Sequence, residues 1–379
     1  MIKYNCLNPI SPVGLGQFTD DYAQTDDFNE ADVALVRSAQ MHELDLPESM
    51  IAVARAGAGV NNIPLDKCAD KGIVVFNTPG ANANGVKELV ICGMLLACRD
   101  IIGGNKWVED NKSDENINKS MEKAKKSFAG GEIKGKRLGV IGLGAIGGLV
   151  ANAAVGLGMD VYGVDPFLSE EAAKKLDPAV KIVDSNEEIY KTCNFISVHV
   201  PLLDDTKEMI NKDTIAMMPD GVVVLNYARD LLVNDEDMAE ALASGKVKNY
   251  VTDFPNAKSA NMDGVIAFPH LGASTAESEE NCAAMAVSQI MNFVENGNII
   301  NSVNYPRIDK GEAENARITV AFKGDVSIDD IKSATGTDDV ACENRGDFGY
   351  AILDADLFSD DQISAVENMD GVLKVRVVK

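Results

Sequence analysis

At position 270 a histidine stands between a proline and a Leu-Gly-Ala-Ser-Thr turn, directly after the apolar run in "GVIAFPHLGAST". A histidine on a loop just past an apolar strand is placed to take and return a proton near neutral pH. Arg229 follows another apolar run, "VVVLNYARD", and its planar fork suits a carboxylate in a way that lysine would not. A third run, "RLGVIGLGAIGG", contains Gly142, Gly144 and Gly147 in the pattern G-x-G-x-x-G. The first glycine of this pattern allows a tight turn, the second lets a pyrophosphate approach the backbone, and the third lets helix and strand pack closely. Amides at the helix start, near Ala145 and Ile146, then point at the phosphates. Asp165 ends the next apolar run, 18 residues beyond Gly147. That is close to the roughly 20 expected of an acid that accepts hydrogen bonds from the adenine ribose. A carboxylate there repels a 2′-phosphate, so the pattern favours NAD over NADP.

These residues need a scaffold, and the patterning supplies one. Short apolar runs alternate with helical stretches, which points to parallel sheets joined by crossover helices. "RLGVIGLG", "MDVYGVDP", "CNFISVHVPL", "DGVVVLNYA" and "VKNYVTDF" read as buried strands of one doubly wound sheet. "IAVARAGAGV" and "KGIVVFNTP" belong to an earlier α/β unit. The polar stretch 104–136 is weakly periodic, and a domain boundary is expected inside or just before it. Residues 276–296 have the pattern of a long helix that returns the chain to the first unit. The tail has the order β-α-β-β-α-β of a ferredoxin-like domain. The expected division is a substrate-binding domain at 1–98 and 275–308, a Rossmann NAD domain at 99–274 and a ferredoxin-like α+β domain at 313–379.

The net charge of −24 disfavours non-specific binding to nucleic acid or to an anionic membrane. An anionic substrate would need local cations. The longest apolar run, "LVICGMLLAC", stops well short of the ~18 residues of a spanning helix, and the opening residues lack a secretory pattern, so a cytoplasmic protein is expected. Seven cysteines without a C-x-x-C pair indicate neither a disulfide framework nor a zinc site.

Taken with the fingerprint, "SVHVPLLDDT", "VVVLNYARD" and "IAFPHLGAST" resemble the D-isomer-specific 2-hydroxyacid dehydrogenases. "RAGAGVNNI" and "NTPGANANGVKEL" extend the likeness over nearly the whole chain. The chain is most similar to the branch that acts on a phosphorylated 2-hydroxy acid and carries a C-terminal ACT-like domain. The resemblance implies oxidation of a 2-hydroxy acid, which needs a base for the hydroxyl proton, a cation for the carboxylate and a nicotinamide positioned for hydride transfer. It implies His270 as that base and Arg229 as the substrate-binding cation. Around the cofactor it implies His199, Pro201, Thr206, Tyr227, Ala228, Asp253 and Gly272. For the small anionic substrate it implies the loop at Ala58, Gly59 and Val60, with Arg37, Ser38 and Asn82 at the phosphate end and Arg55 adding charge nearby. Pairing through the cofactor domain, as in the family, implies a homodimer or homotetramer.

Two departures stand out. Most of the family has a glutamate, near 258 here, that hydrogen-bonds the histidine; this sequence has Ala257 and Lys258, and no glutamate between Tyr250 and His270. Asp253 could substitute, Asp263 or another segment could, or the dyad is absent; for Asp253 the preferred role is a cofactor contact. The tail has "FKGDVSIDDI" where amino-acid-binding ACT domains often have an Asn-x-Pro-Gly-like loop, which argues against serine sensing.

Overall fold

The computed structural model describes the chain from Met1 to Lys379. It divides into two compact units, Met1–Asn82 with Ala276–Lys379, and Ala83–Thr275.

The first unit opens with β1 (Ile2–Cys6), β2 (Tyr22–Gln24), β3 (Val33–Val36), β4 (Ala52–Arg55) and β5 (Val74–Phe76). They form a parallel sheet in the order β2-β1-β3-β4-β5. The helix Ala276–Asn296 covers one face, burying Ala283, Ala286, Val287, Ile290 and Phe293 against Leu35, Ala54 and Phe76. Its approach is close: a Cβ on Gly14 would lie 2.5 Å from the carbonyl carbon of Ala283.

The second unit contains β6 (Arg137–Ile141), β7 (Asp160–Val164), β8 (Lys181–Ile182), β9 (Phe195–Val198), β10 (Val222–Asn226), β11 (Val247–Thr252) and β12 (Val265–Ala267). All are parallel, in the order β12-β11-β10-β9-β6-β7-β8. Every residue of β9 and β10 is buried, as expected where helices cover both faces of a parallel sheet. The chain runs outward from β6 in one direction and returns to its other side at β9. That reversal opens a crevice at the carboxyl ends of the strands.

The domain boundary differs from the expected one. The polar stretch after residue 98 folds as helices Ile101–Asp110 and Ile117–Ala124 inside the second unit, and neither helix buries a residue. The break falls at Asn82 because the next helix, Ala83–Cys98, spends Val86, Val90, Met94 and Ala97 on the nucleotide-type sheet, beside Val140, Leu225 and Val251.

The tail comprises β13 (Ala316–Lys323), a helix Ile328–Thr335, β14 (Val340–Arg345), β15 (Phe348–Ala355), a helix Asp360–Glu367 and β16 (Val372–Val377). Its antiparallel order β14-β15-β13-β16 is ferredoxin-like. One face packs on its own two helices through Val320, Phe322, Ile331, Leu353 and Val366. Ala321, Tyr350 and Ile352 on the other face join the core of the first unit with Phe76, Phe293 and Tyr305, so the tail shares that core. A buried Arg317 clamps it: the guanidinium forks onto Asp354 at 2.6 and 2.8 Å and donates to the carbonyls of Asn296 and Gly311. No helix is long and apolar enough to cross a membrane.

Candidate active site

The turn after β6 assigns its glycines different tasks. Gly142 has φ +90°, and a Cβ there would sit 2.8 Å from the His199 carbonyl oxygen. A Cβ on Gly147 would lie 1.8 Å from the Gly142 oxygen, so the third glycine allows the helix Ala145–Gly156 to start against the turn. Gly144 is the N-cap of that helix, with an ordinary φ of −66°, and a Cβ there would meet nothing within 4 Å. The fold requires the first and third glycines; the second leaves open space beside unsatisfied helix amides, including those of Ala145 and Ile146. Asp165 braces the same turn, accepting from Leu143 N and Phe167 N at 2.9 Å each.

A cavity of about 460 Å³ adjoins the turn, lined by Ile146, His199, Pro201, Tyr227, Ala228 and Arg229 among others. His199 Nε2 bonds Ser197 Oγ at 2.8 Å, while Nδ1 is buried without a partner. Burial pushes its pKa down to about 4, so it lines the cavity as a neutral ring. Thr206 and Tyr227, both expected at the cofactor, differ in what their hydroxyls do, that of Tyr227 being buried without a partner. Thr206 spends its hydroxyl on its own loop, donating to Pro201 O at 2.6 Å and accepting from Leu203 N at 2.8 Å. Tyr227 sends its hydroxyl toward Gly93, leaving its ring to the cavity.

Arg229 is offered by a turn that Asn226 shapes. Fully buried at the end of β10, Asn226 donates to Arg229 O at 2.7 Å and accepts from Ala228 N at 3.1 Å. Sequence reading did not single out Asn226; its only signal was a polar residue ending the apolar run "VVVLN". The exposed guanidinium of Arg229 donates to Ala228 O, and its Cζ lies 5.5 Å from the centre of the Phe254 ring. His270, also exposed, packs on that ring with centroids 4.3 Å apart. Within this unit no carboxylate hydrogen-bonds or ion-pairs with His270. Asp253, 1% exposed, accepts instead from Gly272 N at 3.3 Å, and its Oδ1 has no partner. Burial raises its pKa, against the opposing pull of nearby His270 and backbone amides. Asp263 is exposed in the turn before β12, and Lys258, at the expected glutamate position, pairs outward with Glu236.

In the first unit, the amides of Arg37, Ser38 and Ala39 all donate to Asn8 Oδ1, at 3.1, 3.0 and 2.8 Å. The Arg37 guanidinium pairs with Glu279 at 2.6 Å. Arg55 folds back, Nε donating to Arg37 O at 3.2 Å, and burial, with Arg37 nearby, lowers its pKa. The amides of Ala58, Gly59 and Val60 donate to no acceptor, while Asn77 holds their loop through Ala58 O at 2.7 Å. Asn82 ends the segment. Asn8, Asn77 and Glu279 were not singled out from sequence, because each acts across a fold contact that spacing does not reveal.

The open face at Gly144, the helix amides and the unpartnered His199 Nδ1 and Asp253 Oδ1 fit a dinucleotide. Residues 91–272 match the family model described as D-isomer specific 2-hydroxyacid dehydrogenase, NAD binding domain. A hydroxypyruvate reductase of Thermotoga maritima is 38% identical over 274 residues, covering 69% of this chain and 84% of that one. A D-3-phosphoglycerate dehydrogenase of Bacillus subtilis is 35% identical over 296 residues, 76% of this chain; the match spans 54% of that longer protein. The NAD⁺-bound 3-phosphoglycerate dehydrogenase of Entamoeba histolytica superposes with a TM-score of 0.60 at 28% identity, over 80% of this chain and 98% of that one. The doubly wound sheet and its glycine turn define an NAD-binding oxidoreductase fold. Within that class, the chain belongs to the D-isomer-specific 2-hydroxyacid dehydrogenase family.

Proposed function

We propose that the protein oxidises D-3-phosphoglycerate to 3-phosphohydroxypyruvate with NAD, the entry step to serine by the phosphorylated route. The observation that carries the chemistry is the meeting of Arg229 and His270 on one aromatic ring, with Arg229 on the rim of the cavity beside the glycine turn. Gly142, Gly144, Gly147 and the amides of Ala145 and Ile146 would hold the pyrophosphate and Asp165 the adenine ribose, with Asp253 and Gly272 toward the nicotinamide end. When bound, NAD supplies the hydride acceptor. Arg229 holds the substrate carboxylate and steadies charge on the oxygen that becomes a carbonyl. His270 takes the hydroxyl proton in oxidation and returns it in reduction. The free amides of Ala58, Gly59 and Val60 bind a carboxylate oxygen, and Arg37 and Arg55, at the carboxyl ends of neighbouring strands, attract the phosphate.

Reduction of unphosphorylated hydroxypyruvate is the second reading, favoured by the Arg37–Glu279 pair, which offsets the charge a phosphate would need. An NAD-sensing scaffold without turnover is the third. NADH oxidation with a panel of 2-keto acids separates them. The proposal expects the highest kcat/KM with 3-phosphohydroxypyruvate; a preference for hydroxypyruvate supports the second reading, and no turnover with any acid supports the third. A homo-oligomer fits the two helices after residue 100, which leave Ile101, Ile102, Val108 and Met121 exposed; light scattering measures it.

A further inference from the structure

Three strand ends meet at one side chain. Phe254 follows β11, Arg229 follows β10 and His270 follows β12. The imidazole lies 4.3 Å from the Phe254 ring centre at a tilt of 44°, and the Arg229 guanidinium carbon lies 5.5 Å from that centre. The backbone that carries the ring is fixed on its N-terminal side. Phe254 N donates to Thr252 Oγ1 at 3.0 Å, and Asp253, the residue before it, accepts from the N–H of Gly272, two residues past the histidine. Both exposed functional side chains, by contrast, lack a carboxylate that would orient them.

We infer that Phe254 is the positioning residue of this site, holding His270 by its ring face in place of an acid that would hold it by a ring nitrogen. The aromatic face attracts both cations, the guanidinium permanently and the imidazole once it has taken a proton. Edge-on anchoring would occupy one imidazole nitrogen. Face-on anchoring leaves both free, one for the substrate oxygen and one for exchange with water. Arg229 brings a positive charge to this ring, and Asp253 a carboxyl group that interacts with His270.

The inference rests on the dehydrogenase reading, and two measurements keep the fates of the two apart. The chain has three histidines, so ring carbon–proton NMR of the full-length, histidine-labelled protein yields three sets of signals, with His270 assigned by His270→Asn. The close, tilted contact with the Phe254 ring shifts the His270 ring protons from their free positions; signals at the positions of a free histidine overturn the inference, whether or not any 2-keto acid turns over. In the turnover assay, Phe254→Leu keeps apolar bulk without a ring and should lower kcat roughly ten- to a hundredfold, with NADH affinity within about twofold of the parent. Phe254→Tyr restores the face and should recover most of the rate. A leucine variant as fast as the parent, or a tyrosine variant as slow as leucine while still binding NADH, overturns it.

Discussion

Gly144→Ala separates what the glycine turn does for the fold from what it does for the cofactor. The added methyl meets nothing within 4 Å and the backbone sits at φ −66°, so the folded chain accepts it without strain. Alanine is a poorer N-cap than glycine by about 0.5–1 kcal/mol, while the stiffer unfolded chain returns about 0.4–1 kcal/mol. These terms nearly cancel, so the cofactor-free protein should melt where the parent does. The same methyl fills the space a pyrophosphate needs at the helix start, and Kd for NADH should rise roughly ten- to a hundredfold, about 1.4–2.8 kcal/mol. Gly147→Ala is the control of opposite kind. Its Cβ would fall 1.8 Å from the Gly142 oxygen, so the helix must move, costing about 1–3 kcal/mol before any ligand is added. Thermal melts without cofactor and fluorescence titration with NADH measure both effects. A Gly144→Ala protein that binds NADH like the parent, or that loses stability as Gly147→Ala does, refutes the reasoning.

His199 titrates near 4 when folded against 6.5 unfolded, so the unfolded chain binds the extra proton between those values. Stability should therefore fall by up to about 3 kcal/mol as the pH drops through this window; urea melts at pH 7 and 4.5 should show a smaller loss for His199→Gln, and equal losses would count against it. Glu279→Gln frees Arg37, and since an exposed pair is worth about 0.2–1 kcal/mol, KM for 3-phosphohydroxypyruvate should fall by up to roughly fivefold with little change for hydroxypyruvate. An unchanged ratio of the two would remove Arg37 from the phosphate end. Asp354→Ala strands a buried guanidinium and should cost about 3–5 kcal/mol in urea unfolding; a loss below about 1 kcal/mol would show that the clamp does not hold the tail in place.

The strand runs and the glycine turn were legible because buried parallel strands read as continuous apolar segments and the turn imposes its own spacing. The ferredoxin-like order of the tail was equally open to periodicity. Its attachment was not: Tyr350 and Ile352 look like any inward-facing strand residues, and only the second covered face of the sheet shows that they complete another unit's core. The helix Ala83–Cys98 was assigned to the wrong side of a boundary for the same reason, since an apolar stripe does not say which sheet it will cover. At the site, His270 and Arg229 stood out by type and place. Phe254 did not, because an aromatic residue after a strand carries no chemical signal until a histidine is found lying on it. Asn226 and Asn8 were missed because their work, fixing backbone turns through single side chains, depends on contacts that residue type alone does not announce.

The interrupted first unit also sets the order in which the chain can be completed during synthesis. β1 to β5 leave the ribosome before the second unit, yet the helix Ala276–Asn296 and the antiparallel sheet that close their core are made after it. At about 5–20 residues per second, the intervening segment 83–275 takes roughly 10–40 s to appear. Throughout that time an apolar parallel sheet lacks its cover, and the contiguous second unit is complete at Thr275, before the helix that covers the sheet has been made. The sheet made before the second unit is closed only after it, and it is there that a holding chaperone has most to protect.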